Sequence, residues 1–218
     1  MKLSQPCHLL LFILLLTAFN VSSQSSEYGN WMVYAINGRI NQRWELVGDY
    51  QYRNYNSFGD LQQILLRTAL QYDVTSKFSV GTGYTFSYVE NYVEDKKRDA
   101  IEHRFTQQFI HKTISGKVSL AQRLRVEERF ISDLFSLRFR YALAGKYWFG
   151  EKKHWCVSVW DEIFVNAKSL DYDQNRLFVG VGYRFSDHFR IETGNLLINQ
   201  RSVNRNQLFT SFIHTFNW

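Results

Sequence analysis

The sequence predicts an all-β chain, closed as an antiparallel transmembrane β-barrel of about ten to twelve strands with short periplasmic turns and longer extracellular loops. Three observations predict it. Side-chain character alternates with period two along most of the chain, which marks strands with two unlike faces. The only proline is Pro6, and proline is excluded from central strands because it removes a ladder hydrogen bond. The 37 aromatic residues (6 Trp, 13 Tyr, 18 Phe) suit a barrel girdled by rings at two membrane interfaces. Such a composition excludes a disordered chain, and the single apolar run excludes a bundle of membrane helices.

That apolar run opens the chain. Met1–Ser23 reads as a secretory signal peptide: Lys2 lies near the start, Leu9–Phe19 is apolar, and the small residues Val21, Ser22 and Ser23 precede Gln24. The run is too short to span a bilayer comfortably as a helix, and Cys7 precedes it, whereas a lipoprotein cysteine would follow it. Removing 23 of 218 residues leaves 195, residues 24–218, as the barrel. Cys156 is then the only cysteine, so this exported chain forms no intrachain disulfide. Losing Lys2 leaves 25 cationic against 20 acidic side chains, a mild basic excess of five.

The strands follow in order. After a segment beginning near Trp31, Trp44, Leu46, Gly48, Tyr50 and Tyr52 alternate with Glu45, Val47, Asp49, Gln51 and Arg53. Ile64–Tyr72 and Phe78–Tyr88 repeat the pattern, and a further segment begins near Ile101. Next, Val118, Leu120, Gln122, Leu124 and Val126 alternate with Ser119, Ala121, Arg123, Arg125 and Glu127. Leu137–Leu143 and Leu177–Phe185 behave alike, and the remaining segments begin near Trp155, Phe189 and Leu208. Eleven segments result, although bacterial barrels usually have an even number. Either Gln24–Asn30 adds a twelfth strand, or the first segment is no wall strand and ten remain.

Short connections near Asn41, Asp73–Lys77, Ile114–Lys117, Gly150–Lys153 and Ser186–His188 alternate with longer ones. The longer ones fall near Asn54–Asp60, Val89–Asp99, Ile131–Ser136, Ala167–Gln174 and Gln200–Asn206. The chain stops inside its last strand, with Phe212, Phe216 and Trp218 on one face. Such an ending resembles the signal read by the barrel-assembly machinery, so Phe216 and Trp218 are the expected contacts with it.

If the apolar set faces lipid, the alternate set faces the lumen. It holds Arg53, Arg67, Glu102, Arg104, Arg123, Arg125, Glu127, Arg129, Arg138, Arg140 and Arg176, with Arg184, Arg190 and Glu192 further along. A charge turned into lipid at the midplane would cost about 2–4 kcal/mol, which fixes this register. Two readings of the charged set stay open. One is an electropositive pore or binding site for small anionic solutes, since rings of charge tune selectivity. The other is a structural Arg–Glu network that closes a narrow lumen, leaving the barrel to display its loops.

Several stretches also carry a resemblance. They are Glu102-His103-Arg104, Arg123–Phe130, Leu137–Tyr141, Asp161–Asn166 (with Glu162 and Asn166) and Gln174–Leu177 (with Asn175). Together they resemble the uncharacterised bacterial domain-of-unknown-function family number twenty-four ninety, taken to be outer-membrane β-barrels. The resemblance spans nearly all of the mature chain. It implies the barrel and its outer-membrane location and carries no catalytic residues; Glu162, Asn166 and Asn175 in these stretches are expected to be structural.

Other classes of function find little footing. Among His103, His111, His154, His188 and His214, only His188 has a serine two residues away, and Ser186 and His188 fall in an expected turn rather than on one face of a strand. An interfacial lipid hydrolase therefore stands as a distant alternative to a non-enzymatic barrel. No H-x-H, C-x-x-C or H-E-x-x-H occurs, and Gly180-Val181-Gly182 precedes no helix, so neither a metal nor another cofactor is expected. The expected partners are membrane lipids and lipopolysaccharide, with no nucleic acid.

Overall fold

A computed structural model describes residues 28–94, 96–150, 154–201 and 203–217. The expected signal peptide and Trp218 lie outside the described residues. The eleven strands are β1 (Tyr28–Arg39), β2 (Trp44–Asn54), β3 (Leu61–Asp73), β4 (Phe78–Val93), β5 (Lys96–Ser115), β6 (Val118–Ile131), β7 (Leu134–Phe149), β8 (Trp155–Asn166), β9 (Asp171–Arg184), β10 (Phe189–Gln200) and β11 (Asn204–Asn217). Each pairs antiparallel with its neighbour in sequence, and β1 closes the barrel against β11.

The closure corrects the expectation of an even strand number. In an odd meander the first and last strands run the same way, so the seam must be parallel. It is: Tyr28 opposes Asn206, and the register holds to Arg39 opposite Asn217. The segment from Trp31 is thus a full wall strand, hydrogen-bonded on both sides, and no twelfth strand is needed to remove the sheet edge.

Sequence chemistry explains the turns at one end. Asn41 Oδ1 accepts from the backbone N–H groups of Arg43 and Trp44, both at 2.9 Å, an Asx turn that reverses β1 into β2. Thr75 Oγ1 accepts from Lys77 N (3.2 Å) and Phe78 N (3.0 Å) between β3 and β4. Gly116, at φ 61°, takes the left-handed conformation of the tight β5–β6 turn. At the other end much of the expected loop is strand. Val89–Asp99 forms a projecting hairpin in which Val93 opposes Lys96, and Lys97 Nζ pairs with Glu90 (2.6 Å) and Asp60 (2.8 Å).

The faces separate as the alternation predicts. Leu46, Tyr50, Leu66, Phe105, Leu124, Val179 and Val181 stay exposed on the outside. Rings collect there towards the strand ends, as in the chain Trp155–Tyr183–Phe185–Phe189–His214–Phe216, with successive centroids 4.6–5.6 Å apart. The inner face carries buried polar residues on each of β2–β11, and beside them an apolar cluster: Trp31 and Val33 of β1, Phe178 of β9, Leu196 and Ile198 of β10. Space for that cluster comes from Gly180 and Gly194, which oppose each other in register. A Cβ on Gly180 would meet Phe178 Cζ at 2.4 Å, so the Phe178 ring lies over a wall with no side chain there.

Candidate functional site: a cationic and aromatic lumen

The charged lining is built by two-residue steps along neighbouring strands. On β2, Arg53 donates to Gln51 Oε1 (2.8 Å), Gln51 donates to Asp49 (2.6 Å), and Arg67 of β3 pairs with Asp49. On β5, Glu102 takes Arg104 (2.6 Å) and, across the strand boundary, Arg129 (2.5 Å). Two glutamates anchor the centre. Glu127 accepts from Arg138 (2.6 Å) and Arg140 (2.5 Å), with Arg125 at 4.0 Å. Glu162 accepts from Arg140 (2.7 Å) and Arg123 (2.9 Å). Arg140 therefore ties β6 to β8 across its own strand β7. A group this buried needs such partners, since an unpaired charge in low dielectric is costly.

Aromatic rings complete the lining, and arginines stack on them. The Arg53 guanidinium lies 3.4 Å from the Trp31 ring centroid, and that of Arg176 lies 5.0 Å from the same ring. Phe164, fully buried, faces Arg140 at 4.3 Å, Arg176 at 4.5 Å and Arg138 at 5.0 Å. Delocalised guanidinium planes tolerate this packing better than ammonium groups, which explains arginine rather than lysine here.

Between these walls lies a cavity of about 400 Å³. Eight cationic side chains line it (Arg53, Arg67, Arg104, Lys112, Arg123, Arg140, Lys146, Arg176) against three carboxylates (Glu127, Glu162, Glu192), an excess of five. Arg67, Arg104, Arg123, Arg140 and Lys146 each have a carboxylate partner. Among the described residues, Arg53, Lys112 and Arg176 have none within 4.0 Å. The Nε atoms of Arg53 and Arg176 and the indole Nε1 of Trp31 are buried without a hydrogen-bond partner. Nearer the projecting hairpin a second cavity, about 410 Å³, is lined by Tyr55, Asp60, Asn91, Tyr92 and Arg205.

All eleven charged positions read as lumen-facing, from Arg53 to Arg176, lie on the inner wall; Arg129 joins it through Glu102. Among the residues given a structural role, Glu162 is a hub of the network. Asn175 faces outward and donates to Asp161 Oδ1 (2.8 Å), and Asn166 sits at the end of β8 opposite Asp171. The histidines bond elsewhere: His103 to Tyr84 (2.6 Å), His214 to Tyr34 (2.7 Å), His154 to the Arg184 carbonyl (2.6 Å), and His188 to that of Thr215 (3.0 Å). Sequence reasoning missed the inward rings of Trp31, Trp160, Phe164 and Phe209. Parity with a charged neighbour would have found Phe164, two residues from Glu162.

Fold and lining together define a closed β-barrel, antiparallel except at the β1–β11 seam, with a net-cationic, partly aromatic lumen. The chain belongs to the family described as protein of unknown function (DUF2490), whose model matches residues 28–209. No curated protein matches it. Among solved structures it is similar to a KdgM porin in complex with disordered oligogalacturonate. The identity is 13% and the TM-score 0.49, with 82% of this chain and 92% of that chain covered.

Proposed function

We propose that this chain is a non-enzymatic outer-membrane barrel whose narrow lumen accepts small anionic solutes. A closed sheet with an apolar outer face meets the demand lipid makes on a spanning chain, that every backbone polar group be satisfied internally. The signal-like Met1–Ser23 would export it, lipopolysaccharide and other lipids would surround it, and Phe216 with Trp218 would engage the assembly machinery. One observation carries the choice of solute: Arg53 and Arg176 line the cavity without a carboxylate, while the neighbouring arginines are neutralised. An anion entering there meets donors already desolvated and oriented.

The test is the swelling of proteoliposomes in isosmotic potassium acetate with valinomycin supplying the potassium path. The barrel should accelerate swelling over empty liposomes, and Arg53→Gln with Arg176→Gln should slow it. A second reading, a closed structural barrel, is favoured by the Glu127–Arg140–Glu162 ties, which hold the adjacent strands β6, β7 and β8 together on their lumen side. Absence of acetate-dependent swelling and of any anion binding would favour that reading.

A further inference from the structure

Two chemically distinct groups of side chains meet at the cavity. Arg53 of β2 and Arg176 of β9, free of carboxylates, come together at the Trp31 ring. Trp160 of β8 and Phe209 of β11, both only half-buried, also line the space. Phe178 behind them is fully buried, stacked on Trp160 at 5.4 Å and edge-on to Phe209 at 5.1 Å. Phe178 is thus packing, whereas Trp160 and Phe209 present ring surface to the space. Trp31 joins the two groups: it opposes Arg53 in the β1–β2 register, opposes Phe209 across the seam, and meets the Phe209 ring edge-on at 5.5 Å.

We infer that this site selects a monocarboxylate carrying an aromatic ring, with the carboxylate at Arg53 and Arg176 and the ring against Trp160 and Phe209. The inference rests on the anion-accepting reading above and specifies its solute. The size fits, since about 400 Å³ lies at the lower end of small-molecule sites. One carboxylate matches the site, because among the lining cations Arg53 and Arg176 lack a carboxylate and meet at one ring. Arg53 is more than nine-tenths buried, and the Nε atoms of both arginines have no hydrogen-bond partner among the described residues, so both guanidinium groups keep donor capacity. An aromatic ring is recognised by edge-to-face contact with rings held in fixed orientation, which an aliphatic anion cannot exploit.

Calorimetric titration of the folded barrel in detergent tests this with benzoate, acetate and benzyl alcohol. Benzoate should bind at least about tenfold more tightly than acetate, and benzyl alcohol more weakly than benzoate by a similar factor. Arg176→Gln is the decisive variant, because Arg176 forms no ion pair whose loss would loosen the wall. It should weaken benzoate about tenfold or more while the heat-modifiable band on a gel persists. Trp160→Ala, with Phe209→Leu as the milder alternative, should shrink the benzoate-to-acetate ratio. Equal binding of acetate and benzoate would overturn the ring preference and leave the anion reading standing. Benzoate binding that Arg176→Gln does not alter would overturn the placement of the carboxylate at Arg53 and Arg176. Failure to bind either anion, with no anion-dependent swelling, would remove both.

Discussion

The Arg53 guanidinium carbon lies 3.4 Å from the centroid of the Trp31 indole, the shortest cation–aromatic approach in the barrel among the described residues. Arg53 ends a ladder on β2, and Trp31 opens the apolar wall on β1, so this contact joins the charged and apolar halves of the lumen. Trp31→Ala should lower unfolding stability by about 3–5 kcal/mol, through the lost ring and the void beside Phe209. Trp31→Phe should keep most of it. Urea unfolding in lipid vesicles, followed by far-ultraviolet circular dichroism, reads both; equal loss in the two variants would show that the ring face is not what holds Arg53.

Arg140 bridges Glu127 and Glu162, and each glutamate retains another arginine if Arg140 is removed. Arg140→Gln should therefore cost about 3 kcal/mol, the low end for breaking a buried pair. Combined with Glu127→Gln, the loss should be smaller than the sum of the single losses, because both substitutions break the same contact. A double-mutant cycle on unfolding midpoints measures this, and strict additivity would mean the bridge carries no coupling energy.

Gly180 faces Gly194 beneath the Phe178 ring, and a Cβ there would sit 2.4 Å from Phe178 Cζ. Gly180→Ala should push Phe178 towards the cavity and cost about 1–3 kcal/mol by overpacking. The midpoint of refolding into vesicles tests it. A gain in stability would imply that the ring has another place to go.

Leu124 lies midway along β6 on the exposed outer face, while Arg123 and Arg125 on either side of it belong to the inner wall. If lipid covers that face, Leu124→Arg should destabilise the bilayer-inserted barrel by about 2–4 kcal/mol. Unfolding in vesicles measures the change, and a loss below about 0.5 kcal/mol, as at an ordinary water-exposed site, would contradict the membrane placement.

How much of this could be read in the sequence depended on whether the two faces of a strand differ. Along β6 they do: Leu120, Leu124 and Val126 alternate with Arg123, Arg125 and Glu127, and the register could be written down directly. Along β1 they do not, because Trp31 and Val33 point inward while Met32, Tyr34 and Ile36 point outward, all apolar. Alternation is silent there, and the aromatic half of the lumen stayed invisible. Loop boundaries failed for another reason. Glu90, Asn91, Glu94 and Lys96 have the composition of a loop, yet cross-strand pairing and the Lys97 ion pairs hold Val89–Asp99 as a hairpin. The strand count misled because even numbers are a habit of such barrels, whereas a parallel seam satisfies backbone groups equally well.

Arg53 and Arg176 should favour an anion in the lumen. The most direct measurement is the reversal potential of the barrel in a planar bilayer between unequal concentrations of potassium chloride. The potential should be displaced towards the chloride equilibrium value, with the displacement reduced by Arg53→Gln and Arg176→Gln. A potential displaced towards the potassium value, or one indifferent to both substitutions, would contradict it.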